Sequence, residues 1–324
     1  MSTALRWLRK HFAFAPVALL CALSGVIAPA TGAAQAWPTK VVKIIVPFPP
    51  GGGADTLARI MGPKLSEIWG QPVVIENKPG ASGTLGAEAV AQSPADGTTL
   101  LMSSTASLTE NNVAQFAPIT LVSASAYVVT VNANVKATDI RELVALAKAA
   151  PGKLTFGSSG TGAASHLAAE LFKAMAGVDM LHVPYKGTGQ ALTDLLAGHI
   201  QVMFAPAQTV TPHLQSGKLR ALAVTSAKRA ATLPGLPSVA ESGVPGYAAI
   251  GWFGLLAPVA TPKALVDKIS VDANRVLAQK DVVQQMLTLG SEPEGNTPEE
   301  FARFIRNDMG KWSRLMKDMG IVPE

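Results

Sequence analysis

Cysteine is all but missing from this chain: Cys21 is the only one in 324 residues, and it stands inside an N-terminal apolar stretch. Once that stretch is removed, the protein has neither a disulfide nor a thiolate nucleophile. A body of this size needs no staples, because it can bury enough apolar surface without them. Metal chemistry is equally short of material. His166, His182, His199 and His213 are scattered without ligand spacing, so each reads as a structural or surface imidazole and no metal is expected. Pro49-Pro50-Gly51-Gly52-Gly53 is not followed by Gly-Lys-Ser/Thr, which excludes a nucleotide P-loop. Gly160-Thr161-Gly162 runs on into Ala163-Ala164-Ser165, so the dinucleotide fingerprint lacks its third glycine and no cofactor is expected. The chain shows no fixed-period repeat and no low-complexity linker.

Residues 1–36 read as an export signal. Arg6, Arg9 and Lys10 make a basic start, Phe12 to Ala30 an apolar core, and Ala34-Gln35-Ala36 a small-x-small cleavage site. A single membrane anchor is the competing reading. Ser24, Gly25, Pro29, Thr31 and Gly32 interrupt the run before it reaches the ~20 residues a span needs. Cys21 is not read as a lipid attachment point, because Ala18-Leu19-Leu20 lacks the small residue expected beside it. Cleavage after Ala36 leaves 288 residues and lowers Lys+Arg from 27 to 24, against 22 acids. Most of the +5 formal charge therefore leaves with the leader, and nothing favours nucleic acid as a partner.

What is present is concentrated in two loops. Pro47-Phe48-Pro49-Pro50-Gly51-Gly52-Gly53-Ala54-Asp55 follows the apolar run Val41–Val46, and Gly157-Ser158-Ser159-Gly160-Thr161-Gly162-Ala163-Ala164-Ser165-His166 follows Leu154–Phe156. Each opens into a helical pattern. A strand feeding a side-chain-poor loop and then a helix leaves backbone N–H groups free to hold an anion. Three adjacent glycines cost conformational entropy; the close approach of a ligand explains them, and a turn needing positive φ is the other explanation. Asp55, at the helix start, reads first as an N-cap and second as a ligand contact. Loops 47–57, 80–86, 103–109 and 157–168 contain no Lys or Arg. An anion held there depends on peptide N–H groups, Ser/Thr hydroxyls and helix ends.

Strand and helix patterns alternate along the chain, which predicts an α/β protein with mostly parallel sheets flanked by helices. Strands are expected at 41–46, 73–76, 98–102, 117–122, 127–131, 153–156, 181–184, 199–204 and 219–225. Helices are expected at 54–69, 139–149, 164–176, 188–197 and 209–216, with Asn77–Gly86 a loop. Thr261-Pro262 and the capping box Thr297-Pro298-Glu299-Glu300 start two more. Phe301, Phe304, Ile305, Met309, Trp312 and Met316 recur at helical spacing and are expected to pack on the first lobe. Two lobes are placed at 37–126 with 249–324, and at 127–248, with the ligand cleft between them and a hinge at the two crossings.

Several longer motifs follow in a fixed order. They are Gly70-Gln71-Pro72-Val73-Val74-Ile75-Glu76-Asn77-Lys78-Pro79-Gly80, Asp96-Gly97-Thr98-Thr99-Leu100, His182-Val183-Pro184-Tyr185-Lys186-Gly187, Gly217-Lys218-Leu219-Arg220-Ala221-Leu222-Ala223-Val224 and Trp252-Phe253-Gly254-Leu255-Leu256-Ala257-Pro258. With Pro47–Asp55 they closely resemble the Bug-type solute-binding receptors of tripartite tricarboxylate transporters, over essentially all of the mature chain. The resemblance implies a monomeric periplasmic receptor of the type II periplasmic-binding-protein fold, closing on a small organic carboxylate and offering it to membrane permease subunits. It implies ligand contacts from Phe48, Pro50, Gly51, Gly52, Gly53, Ala54 and Asp55; from Ser82, Thr84, Ser104 and Thr105; from Ser158, Ser159, Gly160, Thr161, Ser165 and His166; and from Tyr185 and Ala205. Two departures stand out. The segment Ala106–Phe116 is shorter than the family's, and Ala205-Pro206-Ala207 replaces the acid that many relatives carry after Val202-Met203-Phe204. The missing acid disfavours amine-bearing ligands.

Two other functions stay open at this level. Ser82 or Ser159 with His166 would make a secreted hydrolase, although neither serine sits in a full Gly-x-Ser-x-Gly elbow. A ligand-sensing subunit of a membrane signalling system would use the same closure as a transport receptor. Tighter binding of an amino acid than of a dicarboxylate would refute the expectation drawn from Ala205.

Overall fold

β1 (Val42–Val46) sits at the centre of a parallel trio with β2 (Val73–Asn77) and β3 (Thr99–Ser103). Its Val-Lys-Ile-Ile-Val sequence is β-branched and mostly buried, as befits a strand covered on both faces. The computed structural model describes residues 37–320; the leader expected over 1–36, with Cys21, lies outside them. Among the described residues no helix is long and apolar enough to cross a membrane.

β1 leads into α1 (Gly53–Trp69), whose Leu57, Met61 and Leu65 form a buried stripe four residues apart. β2 is followed by α2 (Thr84–Ala91), and β3 by the long strand β4 (Phe116–Asn132). Then come α3 (Ile140–Ala149), β5 (Thr155–Ser158), α4 (Ala164–Ala176), β6 (Leu181–Pro184), α5 (Thr188–Ala197), β7 (Val202–Pro206), α6 (Ala207–Gln215) and β8 (Leu219–Val224). β9 (Ile250–Pro258) and the helices α7 (Lys263–Leu277), α8 (Lys280–Thr288) and α9 (Pro298–Met319) complete the order.

The parallel pairs are β1 with β2 and β3, and β5 with β6 and β7. Antiparallel pairing enters only with β4 and β9. β4 pairs with β9 from Phe116 to Ala126 and with β7 and β8 from Tyr127 to Asn132. The two strands expected at 117–122 and 127–131 are thus one, because the small residues Ser123 to Ala126 keep their ladder with Phe253, Trp252, Gly251 and Ile250. Register shifts along β4 bend it from one sheet half into the other. Three elements fall outside the sequence reading. α2 begins after Gly83 with no side-chain cap, α8 is short, and β9 is a continuous apolar run without alternation.

α9 also departs from expectation. Its capping box forms, with Thr297 accepting from the Glu300 N–H. Its apolar stripe, however, divides between two cores. Phe301 and Ile305 pack with Trp252, Leu101 and Leu256, whereas Trp312 joins Tyr127, Phe156, Phe172 and Tyr247. Asp308 ties these together from one turn of the helix. Its Oδ2 accepts from the Trp252 indole at 2.7 Å and the Thr105 hydroxyl at 3.2 Å, and its Oδ1 from the Trp312 indole at 2.9 Å. Burial raises this carboxyl above its usual range against the pull of those three donors.

Asp308→Asn keeps one acceptor but turns an NH₂ toward an indole N–H. We expect a loss of about 1–3 kcal/mol, the cost of an unsatisfied buried donor, measured by urea unfolding. A double-mutant cycle with Trp312→Phe checks the cause, because removing the opposing N–H makes the two losses less than additive.

Candidate functional site

Four helices begin at one small cavity. α1 starts at Gly53 after Gly52, α4 at Ala164 after Ala163, α5 at Thr188 after Gly187, and α6 at Ala207 after Pro206. None of the four has a side-chain cap, and Gly52, Gly53, Ala54, Ala164, Ser165, Thr188 and Pro206 all line the cavity. The starts of α3 and α9 lie elsewhere and are capped by Asp139 and Thr297, but α2, α7 and α8 also start without a side-chain cap, so convergence on one space is what sets the four apart. The first turn of a helix leaves N–H groups without intrahelical partners and carries roughly half a positive charge. Phe48, Ala106, Tyr127 and Phe253 supply apolar walls, and Ser104, Ser159 and Ser165 supply hydroxyls. No charged residue lines the cavity.

The topology explains the convergence. α1, α4, α5 and α6 each leave the carboxyl end of a strand (β1, β5, β6 and β7), which is where open α/β sheets bind ligands. Glycines then let the loops touch. A Cβ at Gly189 would come within 2.6 Å of the Pro50 carbonyl oxygen, and one at Gly187 within 2.6 Å of Pro49 Cδ. The space left is about 20 Å³, room for about one water. A second cavity of about 500 Å³ opens beside it, and Ala106 belongs to both.

Of the residues expected at the site, Phe48, Gly52, Gly53, Ala54, Ser104, Ser159 and Ser165 line the inner cavity. Ser82, Thr105 and Thr161 line the second one. The others line neither. Asp55 is not the N-cap of α1; that position is Gly52. As the third residue of the helix, its carboxylate reaches back to the Gly51 N–H at 3.0 Å and is otherwise held by Arg59 and Asn77. Burial pulls its pKa up, but these partners hold it below the usual carboxylate range. Ala205 packs among Val128, Ala191 and Met203 in a core, and its neighbour Pro206 faces the cavity instead. Tyr185 donates to Asp194 Oδ2 at 2.6 Å. Pro50 and Gly51 shape the first loop, and Thr84 begins α2. Missing from the sequence reading were Ala106, Tyr127, Ala164, Thr188, Pro206 and Phe253. The uncapped starts at Gly187-Thr188 and Pro206-Ala207 were the signal that could have found two of them.

His166 lies behind the second loop. Its Nδ1 accepts the Gly162 N–H at 3.1 Å, and its ring stacks on His182 at 4.0 Å, with Phe156 stacked beyond. His182 Nε2 meets Ser158 Oγ at 2.7 Å, and Ser158 also accepts the Gly160 N–H, so this buried serine braces the loop. Ser159 is bound to Ser165, with both its N–H and its hydroxyl at 3.0 Å from Ser165 Oγ. Neither serine proposed as a nucleophile has His166 as a base. Burial, helped by the Lys173 ammonium, pushes the His166 pKa down to about 4, so the ring is neutral and accepts. Among the described residues no group of three or more His, Cys, Asp or Glu side chains could hold a metal ion.

A family model described as "Tripartite tricarboxylate transporter family receptor" matches residues 57–321. The chain is 33% identical over 317 residues to protein BugT of Bordetella pertussis, covering 94% of this chain and 97% of BugT. Two solved structures are similar. The R. palustris protein Rpa4515 with adipate is 34% identical at a TM-score of 0.84, covering 89% of this chain and all of that one. The periplasmic binding protein BugD is 34% identical at a TM-score of 0.83, covering 88% and 99%. The fold is that of two-lobed periplasmic binding proteins.

The neutral His166 ring makes stability depend on pH. An unfolded imidazole takes its proton near 6.5 and the folded one near 4. Its contribution is therefore intact above about pH 6.5 and lost as pH falls toward 4, by about 1.4 kcal/mol per unit. Urea unfolding between pH 7 and 4.5 should show a steeper acid loss for the native protein than for His166→Gln, whose amide oxygen still accepts. Identical slopes would show that His166 keeps an ordinary pKa.

Proposed function

We propose a delivery receptor for small organic carboxylates, since the chain belongs to the tripartite tricarboxylate transporter receptor family. It is a solute-binding receptor and not an enzyme. In this reading, residues 37–126 with 249–324 and residues 127–248 act as two lobes that shut on the ligand in the periplasm, after removal of the leader near Ala36. The loaded monomer then hands its cargo to the membrane permease subunits of the transporter.

One observation carries the carboxylate: four uncapped helix starts around a cavity without a charged side chain. That arrangement suits a small anion better than a cation or a neutral sugar. The adipate bound by the similar R. palustris protein supports the same class. Hydrogen bonds to a charged group contribute ~1.5–3 kcal/mol each, and a helix end ~0.3–1 kcal/mol, so a few such contacts reach micromolar affinity without a salt bridge (about −8 kcal/mol). The ligand contacts in this reading come from Gly52, Gly53, Ala54, Ser104, Ser159, Ser165 and Thr188.

A thermal-shift panel of carboxylates, aromatic acids and amino acids tests the class. At a hundredfold excess over Kd a true ligand stabilises by ~2.7 kcal/mol, a rise of roughly 5–10 °C for a chain of this size. Closure has its own test. Gly189→Ala puts a methyl group against the Pro50 carbonyl, and backbone yields little. We expect at least about tenfold weaker binding, ~1.4 kcal/mol, and a ligand-bound radius of gyration by X-ray scattering that stays at the open value.

A further inference from the structure

The outer face of α9 is as one-sided in charge as its inner face is apolar. Between Arg303 and Lys317 the exposed positions are Arg303, Arg306, Asn307, Gly310, Lys311, Arg314 and Lys317. Five of them are cations, and none carries an acid or an apolar side chain. The single acid within that span, Asp308, points inward to the Trp252 and Trp312 indoles. Glu299 and Glu300, at the start of the helix, are engaged by Lys263 and by the capping box. Among the described residues none of the five cations has an ion-pair partner. Lys311 is nonetheless held in place, 4.8 Å over the Trp312 ring and 3.4 Å from the Ala248 carbonyl oxygen. In the mature chain Lys and Arg exceed Asp and Glu by only two. With these five set aside, the rest of the molecule is net negative.

This face is kept at a cost to the helix. Arg303 and Arg306, Lys311 and Arg314, and Arg314 and Lys317 are each three residues apart, a spacing at which like charges on a helix repel. Gly310 adds to the cost, because glycine inside a helix is less stable than alanine. No neighbour requires it: a Cβ added there would meet nothing within 4 Å, and its φ is not left-handed. What the missing side chain leaves is a saddle. Arg306, Asn307, Lys311 and Arg314 stand around Gly310 and border an open depression of about 430 Å³. Arg306 and Arg314 flank it one turn to either side, so both reach a group seated there.

We propose that the outer face of α9 docks on an anionic phospholipid surface, with a headgroup phosphate in the saddle at Gly310 and others along the row. The row from Arg303 to Lys317 is about 21 Å long at helical rise, which matches an extended anionic surface better than one small anion. A specific protein partner calls for an apolar or aromatic centre poor in Lys, and this face has none. Each Lys or Arg near such a surface strengthens adsorption about fivefold, the equivalent of ~1 kcal/mol. The net negative remainder of the molecule is turned away, which fixes the orientation. Met309, Ser313 and Met316, on the other side of the same helix, line the second cavity. A docked molecule therefore holds that cavity about one helix diameter from the lipid. The inference is independent of which solute the receptor carries.

Co-sedimentation of the mature protein with vesicles tests it, comparing equal parts of phosphatidylglycerol and phosphatidylcholine with phosphatidylcholine alone. We expect partition at least about tenfold stronger onto the anionic vesicles. It should hold at about 0.1 M salt and vanish at about 1 M, as the screening length falls from ~10 to ~3 Å. Arg306→Gln combined with Arg314→Gln should weaken it about 25-fold. Lys148→Gln with Lys153→Gln makes the same change in charge at exposed positions elsewhere and should leave partition nearly unchanged. Gly310→Glu keeps all five cations and favours the helix, but sets a carboxylate one turn from both arginines; partition should fall as in the arginine pair. Circular dichroism reports the fold, and solute binding by thermal shift should be the same in every variant, so the docking and carboxylate readings can fail separately. Equal partition onto both kinds of vesicle overturns the proposal, as does an equal loss in the two double variants. Binding to poly-glutamate through these residues, with the vesicles ignored, also overturns it and assigns the face to an acidic protein.

Discussion

The mutual repulsion of four helix starts is the constraint around which the rest of the molecule is arranged. Each carries a partial positive charge, that of α1 offset by Asp55 in its own first turn, and all four begin at a space of about 20 Å³ without a counter-charge among its lining side chains. Shutting that space with nothing inside presses like charges together and strips water from unpaired N–H groups. A carboxylate reverses the sign of every one of these terms. In the proposed receptor, electrostatics would couple ligand binding to closure. The wall aromatics Phe48 and Phe253 exclude water and strengthen the effect.

The scaffold keeps this arrangement in register across two sheet halves. β4 runs through both, and α9 places Phe301 in one core and Trp312 in another. Asp308 sits between them and also holds Thr105, one residue from Ala106. The loop that separates the two cavities is therefore anchored to the helix that bridges the two cores. A shift between the cores would be felt at the partition through a single carboxylate.

Much of this was legible in the sequence, for physical reasons that also mark where legibility stopped. Gly51-Gly52-Gly53 and Gly157–Gly162 stood out as glycine clusters without Lys or Arg; in the first, Gly51 serves a positive φ with open space around it, and Gly53 is the one closely approached, by Gln208 and Phe253. The capping box at Thr297 could be read from local chemistry alone and formed as expected. Asp55 was misassigned because an acid in the first helical turn serves equally as an N-cap or as a third-position acceptor reaching backward, and only the fold shows which. Phe253 and Tyr127 could not be found by local reasoning. They reach the cavity through strand pairings far apart in sequence, Phe253 with Ser123 and Tyr127 with Pro206. Ala205 points into the core and Pro206 into the cavity because alternate residues of β7 face opposite sides, so a one-residue uncertainty in register reverses the reading.

The four helix starts are not shared evenly, and this bears on release. α4, α5 and α6 follow β5, β6 and β7, which are bonded together, whereas α1 follows β1 in the other half. In the proposed cycle, parting of the halves would leave an anion three of its helix starts on one side and take away the single one on the other. Such opening would weaken the hold by a fraction and expose the carboxylate to water, which competes well with uncharged N–H donors. A site built on arginine would keep most of its Coulombic grip in that open form. Neutral donors let geometry alone set the affinity, so a receptor of this kind can bind firmly when shut and let go when held open.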